Sequence, residues 1–289
     1  RGLALLPASA LDAWRVLAHR RPSIVIGVGG YSSGPVVALA ALRRIPTLLM
    51  EQNAVPGLTN RLLASLVSAA AVTYEESLKV FGRKAFVAGN PVRPEFFGEE
   101  AYATEHSSPP GAARVLVFGG SQGAHAINMA MVEAAPRLAA AAPAVAITHQ
   151  SGERDLEVVR DGYRRAGLQA RVEPFLFAMD REMKAADLVV CRSGATTLAE
   201  LTASARPSIL IPFPGATDDH QRRNAEALAR VGAAQMIDQR ELTGDRLATE
   251  ILKLVAHEDE RRRMGAAAAQ LARPDAAKLI VDRVVAMAR

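Results

Sequence analysis

Three strand-to-helix corners concentrate the residues able to do chemistry. Gly119-Gly120-Ser121-Gln122-Gly123-Ala124 follows an apolar run and precedes a helix-length segment. Glycines there let the main chain approach a phosphate, and the following helix start offers unpaired N–H groups and a positive dipole end. Ser121 and Gln122 add side-chain donors. A second cluster, Gly27-Val28-Gly29-Gly30-Tyr31-Ser32-Ser33-Gly34, has the same setting. The third corner runs from Cys191-Arg192-Ser193-Gly194 into Ala195-Thr196-Thr197-Leu198-Ala199-Glu200. Its two threonines bring hydroxyls to the first helical turn, and Glu200 follows on the same face. A carboxylate there can accept hydrogen bonds from both ribose hydroxyls, as the acidic residue does in dinucleotide folds. Taken singly, such a corner is equally a tight turn without a ligand, and Glu200 by itself reads better as a solvated helix glutamate.

Other polar groups sit at strand ends. Glu51-Gln52-Asn53 closes one apolar run, and Gly89-Asn90-Pro91-Val92-Arg93 closes another with a planar guanidinium suited to phosphate or carbonyl groups. Arg93 could equally serve linker solubility. In Asp218-Asp219-His220-Gln221 the aspartates read better as a helix N-cap than as metal ligands, since no further His or Asp cluster backs an ion. His220 and Gln221 suit sugar hydroxyls.

These corners need parallel strands with crossover helices to position them, and the chain alternates short apolar runs with helix-length segments almost throughout. Strands are expected at 24–28, 47–51, 70–74 and 85–88, with helices at 35–44 and 58–67. Residues 93–113, rich in Pro, Gly, Ser and charge, read as a linker. Six more strands are expected at 115–118, 145–149, 171–173, 188–191, 208–212 and 234–237, and the last fifty residues as three helices. Two sheets with glycine turns at their mouths would face each other across a cleft. The first sheet would be incomplete, because only one helix, 11–20, precedes its first strand. An isolated chain of this kind is expected to be poorly stable.

Composition narrows the partners. The 289 residues include 35 Lys and Arg against 30 Asp and Glu, a net charge of +5 that suits phosphorylated substrates or an anionic lipid surface. The excess is spread along the chain without blocks of like charge, so nucleic acid is not an expected partner. One cysteine, Cys191, excludes an intramolecular disulfide framework and sits in an apolar strand. No apolar run approaches the roughly 18–20 residues of a membrane span. The segment 11–21 sets Trp14 and leucines among Arg15, Arg20 and Arg21, either as a helix resting on an anionic bilayer or as one facing the core.

Seven motifs in register resemble the MurG family: Gly29-Gly30-Tyr31 with Ser33-Gly34-Pro35, Glu51-Gln52-Asn53, Gly57-Leu58-Thr59-Asn60, Gly89-Asn90-Pro91-Val92-Arg93, the corner at 119–124, and Arg192-Ser193-Gly194-Ala195. The resemblance covers essentially the whole chain. It implies an α/β GT-B fold of two Rossmann-like parallel-sheet domains facing a cleft, the first truncated. The implied division is 1–93 for the acceptor and membrane side, 94–113 as linker, 114–274 for UDP-GlcNAc, and a helix at 275–289 packing back on the first domain. The implied reaction is inverting transfer of GlcNAc from UDP-GlcNAc to the C4 hydroxyl of N-acetylmuramic acid in polyprenyl-diphosphate-linked lipid I. The product is lipid II for peptidoglycan and cell-wall synthesis. No metal or other cofactor is implied. Localisation would be peripheral, at the cytoplasmic face of the bacterial plasma membrane.

By the same resemblance Leu176 lies at the uracil and Ala195, Thr196, Thr197, Leu198 and Ala199 lie along the ribose and diphosphate, with Glu200 on the ribose hydroxyls. Ser121 lies near the diphosphate and Arg93 near the nucleotide, while Asn53 and Gln221 face the GlcNAc. Gly30, Tyr31, Gln122 and His220 are further binding candidates. The family's loop with the histidine that deprotonates the acceptor is expected upstream of Arg1, so no catalytic residue is assigned here. His125 would be a neighbour on the phosphate side, and His149 and His220 would belong to the donor half. A non-catalytic UDP-sugar-binding fragment is the alternative, as is another GT-B UDP-sugar enzyme such as an epimerase or a diacylglycerol glycosyltransferase. A nicotinamide oxidoreductase would use Gly27, Gly29 and, about twenty residues on, Glu51 as the ribose acid. Ser32 occupies its third glycine position.

Overall fold

A computed structural model describes residues 6–98, 111–120, 123–142 and 144–288. The contacts divide the chain into two units, one of residues 1–91, 217–223 and 273–289, the other of residues 92–216 and 224–272.

In the first unit α1 (Leu6–Arg20) precedes β1 (Val25–Gly27), α2 (Ser33–Leu42), β2 (Thr47–Glu51), α3 (Leu58–Leu63), β3 (Ala69–Val72), α4 (Leu78–Phe81) and β4 (Ala85–Val87). The strands form a parallel sheet in the order β1-β2-β3-β4, with Leu48 opposite Ala69 and Ala71 opposite Phe86. Alternate strand residues point to opposite faces. Leu49, Ala70 and Val72 therefore meet Val37, Leu63 and Phe81 on one side. Leu48, Ala69 and Ala71 meet Ile280 of the last helix, α12 (Ala276–Ala288), on the other. Ala13 and Leu17, one turn apart, bury the inner stripe of α1, while Leu11, Trp14 and Val16 stand about half exposed.

The second unit holds β5 (Ala113–Phe118), α5 (His125–Ala139), β6 (Val145–Gln150), α6 (Leu156–Ala166), β7 (Ala170–Glu173), α7 (Met179–Ala185), β8 (Leu188–Cys191), α8 (Ala195–Ala203) and β9 (Ser208–Leu210). Then come α9 (His220–Arg230), β10 (Ala234–Met236), α10 (Gly244–Ala256) and α11 (Glu258–Gln270). Its parallel sheet has the order β10-β9-β8-β5-β6-β7. Both faces are covered, as parallel sheets require. Val115, Val117 and Val190 pack with α5 and α10 through Ile127, Met131, Leu247 and Ile251. Leu116, Phe118 and Val189 pack with Leu198, Leu201 and Leu228 opposite.

All ten expected strands and the helical C-terminal fifth are present. Boundaries shift by a few residues: α1 starts earlier, α3 stops at Leu63, and residues 211 and 212 follow β9. Segment 217–223 clusters with the first unit, so His220 and Gln221 do too. The expected division assigned both to the donor half. The aspartates also behave differently from a local N-cap. Asp218 and Asp219 have φ of 52° and 53°, and the Asp218 carboxylate accepts the Leu58 N–H at 3.1 Å while lying 3.6 Å from Arg61. It caps α3, far away in sequence, because α9 begins only after this left-handed turn.

Candidate functional site

Chain order in the second sheet runs from β5 outward to β7, then returns to β8 and runs outward the other way. The loops after β5 and β8 therefore leave in opposite directions. In open parallel sheets this switch point leaves a crevice beyond the strands' carboxyl ends, where ligands bind. Two of the three glycine corners found in the sequence lie here, heading α5 and α8, whose first N–H groups have no partner within their own helix.

The β5 corner is shaped by glycine. Gly120 and Gly123 have φ of 101° and 74°, and a Cβ on Gly123 would stand 2.0 Å from the Ser151 carbonyl oxygen. The turn thus lies on the end of β6. Ser121 and Gln122 fall outside the described residues. At the β8 corner Gly194 precedes α8, Thr196 is exposed, and Ala195, Thr197, Ala199 and Glu200 are partly buried. Leu198 is buried in the core, so only its main chain is available to a ligand. Burial raises the Glu200 pKa above the ordinary carboxyl value, and the charge of Arg93 opposes that rise. Arg93 and Glu200, 107 positions apart by their numbers, are therefore electrostatic neighbours. Arg93 also lies over the Phe96 ring at 5.1 Å.

Arg192 holds the corner's frame. Its guanidinium donates to the carbonyls of Ile211 and Pro212 and to Gln239, and stacks on Phe213. Burial lowers its pKa to about 10. Leu176 is buried, with its N–H donated to the Gln150 side chain at 2.8 Å. Any contact with a base would use the main chain of this segment.

Sequence reasoning missed the polar network beneath the β5 corner. His149 is wholly buried, with Nδ1 2.7 Å from the Tyr163 hydroxyl and Nε2 3.0 Å from Asn128 Oδ1. Burial drives its pKa down to about 3, against a weaker upward pull from Asp155. Asn128 donates to the Ser151 carbonyl and to Asp155, each at 2.8 Å. Asp155 also lies 3.0 Å from His125 Nδ1. Burial alone would raise the Asp155 pKa, but hydrogen bonds from Asn128 and His125 and the charges of His125 and Arg154 bring it below its ordinary value. The available signal was His149-Gln150-Ser151-Gly152, a polar run ending an otherwise apolar strand.

The first unit has its own pocket, about 300 Å³, lined by Gly29, Gly30, Tyr31, Asn53, Asn60 and His220 among others. Buried Glu51 organises it. Its carboxylate accepts from Asn53 N and Gly57 N at 3.0 Å, Asn53 Nδ2 at 3.2 Å and Asn60 Nδ2 at 2.8 Å. Glu51 is fully engaged by its own loop, which removes it as the ribose acid of a nicotinamide site. Ser33 ties the glycine turn by donating to the Gly29 and Gly30 carbonyls. Among the described residues, Asn60 Oδ1 is buried without a partner. Also among them, no group of three His, Cys, Asp or Glu side chains could hold a metal ion.

Two parallel α/β units, one with a helix-start crevice at its switch point, define a GT-B glycosyltransferase. The glycosyltransferase family 28 N-terminal domain matches residues 5–72 and the family 28 C-terminal domain residues 114–280. The UDP-N-acetylglucosamine–N-acetylmuramyl-(pentapeptide) pyrophosphoryl-undecaprenol N-acetylglucosamine transferase of Anaeromyxobacter dehalogenans is 50% identical over 99% of this chain and 74% of that protein. The crystal structure of Acinetobacter baumannii MurG superposes with a TM-score of 0.81 at 30% identity, over 98% of this chain and 80% of that one. The chain belongs to the MurG family of glycosyltransferases. A UDP-GlcNAc 2-epimerase from Neisseria meningitidis bound to UDP-GlcNAc shares the fold alone, with a TM-score of 0.66 at 12% identity over 97% of this chain and 81% of that one.

Proposed function

We propose that the chain transfers GlcNAc from UDP-GlcNAc to the C4 hydroxyl of N-acetylmuramic acid in lipid I, forming lipid II with inversion at the anomeric carbon. The observation that carries this reading is the pair of helix starts, α5 and α8, at the switch point of a chain 50% identical to a transferase of that name.

In this reading the second unit holds the nucleotide. The Leu176 main chain meets the uracil, Glu200 accepts from the ribose hydroxyls, and Arg93 lies beside the nucleotide. Ala195, Thr196, Thr197 and the main chain of Leu198 and Ala199 run along the ribose and diphosphate, with Ser121 and Gln122 on the phosphate side. As the glycosidic bond breaks, negative charge grows on UDP. Fixed N–H groups at the two helix starts meet that charge without reorganising, and so favour the transition state over the bound donor. The partial burial of Glu200 supports a ligand-binding role, since an unligated carboxylate loses hydration there.

The pocket around Asn53 and Asn60 is the sugar and acceptor side. Asn53, Gln221, Gly30, Tyr31 and His220 are its proposed contacts. The exposed Leu11, Trp14 and Val16 of α1, beside Arg15, Arg20 and Arg21, form the proposed contact with an anionic membrane surface. No described helix is long and apolar enough to cross a membrane. In this reading the enzyme works as a peripheral protein at the cytoplasmic face of the bacterial plasma membrane, a reading supported by the exposed apolar residues of α1.

Calorimetry tests the donor site directly: UDP-GlcNAc should bind and compete with UDP. Lack of binding at millimolar nucleotide would overturn the reading. A lipid I turnover assay run beside it tests transfer.

A further inference from the structure

We propose that Gln150 is a positioning residue that fixes the spacing between the β5 glycine corner and the Leu176 segment, and thereby the span of nucleotide the donor site accepts. This rests on the donor-site reading above.

Gln150 is the last residue of β6, the strand between β5 and β7. It stands opposite Phe118, which leads into the glycine corner, and opposite Glu173, which leads into Pro174-Phe175-Leu176. Its side chain is 2% exposed and engaged at both ends. Nε2 donates to the Gly120 carbonyl at 2.8 Å, and Oε1 accepts the Leu176 N–H at 2.8 Å. The oxygen and nitrogen of a carboxamide are held in one plane at fixed separation, so a single group sets how far apart two loops stand. Those loops are 30 and 26 positions away in sequence. The Gly120 carbonyl also accepts the Gly123 N–H, so the tie reaches the bond that closes the turn.

Among side chains of this length, only glutamine satisfies both loops. Glutamate can accept from Leu176, but as a carboxylate it would face the Gly120 carbonyl oxygen. Methionine fills similar space and makes neither strong bond. The two loops lie at the proposed diphosphate and uracil ends of the donor, so their spacing is a property the ligand can sense. A bond that served only to hold the sheet would not distinguish one nucleotide from another.

The test measures binding of UDP-GlcNAc, UDP and uridine to the full chain, Gln150→Met and Gln150→Glu by calorimetry, with thermal melts alongside. In Gln150→Met, UDP affinity should fall about tenfold and uridine affinity about threefold, since two neutral hydrogen bonds are lost. In Gln150→Glu, UDP should lose more than uridine, because the new charge lies on the diphosphate side. Melting temperatures should stay within a few degrees of the parent. Unchanged affinities in a folded variant would overturn the inference. So would losses that track unfolding, or failure of both variants to fold, since these assign Gln150 to the fold alone. If the parent itself fails to bind UDP, the donor-site reading falls first, and this inference with it.

Discussion

The two units organise strand ends by opposite means. In the first, one buried carboxylate, Glu51, gathers four donors from the loop after β2 and the first turn of α3. In the second, neutral groups do most of the work: His149 and Asn128 bond each other, Asn128 and Gln150 bond main-chain groups of neighbouring segments, and one buried carboxylate, Asp155, takes Asn128 and half-exposed His125. A buried charge surrounded by donors makes a local, self-contained cage. A chain of neutral groups reaches further, linking β6 to α5, α6 and two neighbouring loops. The first device shapes a pocket, and the second keeps distant segments in register.

Removing the charged cage should have the largest effect. Glu51→Ala removes the acceptor shared by part-buried Asn53 and Gly57 and by buried Asn60, which keeps only the Met50 carbonyl, and should destabilise the chain by roughly 2–4 kcal/mol. Urea unfolding checks this; a loss below about 1 kcal/mol would mean the loop finds other partners, and the contrast would fail.

On the other side, Glu200→Ala should weaken UDP-GlcNAc binding about tenfold to a hundredfold, the range expected for hydrogen bonds to a charged acceptor. Its melting temperature should change little, because the cage logic does not apply to this residue. Calorimetry against the parent reads both.

The neutral network predicts an acid dependence of its own. His149 has a folded pKa near 3 and an ordinary value of 6.5, so below about pH 6.5 the unfolded chain takes up a proton that the folded chain refuses. Its contribution is fully present above that pH and is lost as the pH falls toward 3, by up to about 1.4 kcal/mol per pH unit. Asp155, held below its ordinary value, adds a further loss only below about pH 4. Urea unfolding at pH 7.5, 6 and 5 should show the slope, and His149→Phe should flatten it. A parent stability that stays level from pH 6.5 to 5 would contradict the buried neutral imidazole.

The smallest effect concerns the cap that links α3 to segment 217–223. Asp218→Ala should cost about 0.5–2 kcal/mol, as N-cap removals do, and should loosen the pocket wall more than the second unit. Hydrogen exchange at the α3 N-terminus would report it; unchanged exchange there would show the cap to be redundant.

Much of this was legible in the sequence. Short runs of three to five residues separated by helix-length segments point to ten strands of parallel sheets, because run length and the regular strand–helix alternation separate them where periodicity alone does not. Glycine clusters marked the corners, since few other residues tolerate positive φ. Glu200 and Arg93 were chosen separately and turn out to be electrostatic neighbours. The buried polar groups were harder to see. Glu51 reads in sequence as a possible ligand acid, and nothing local reveals that Gly57 and Asn60 will use up its oxygens. Gln150 is marked only by the polar run that ends its strand, and Asn128, inside α5, carries no local signal. The Asp218 cap was misjudged for the same reason: the helix it serves lies 160 positions away.

The amino-acid order alone determined the elements, their parallel pairing class, the glycine corners and the family, because each depends on residues close together in the chain. Tertiary structure decided which polar groups are spent inside the protein and which remain for a ligand. That division depends on hydrogen-bond partners brought together across tens of residues, and on burial, which sets the cost of leaving any of them unpaired.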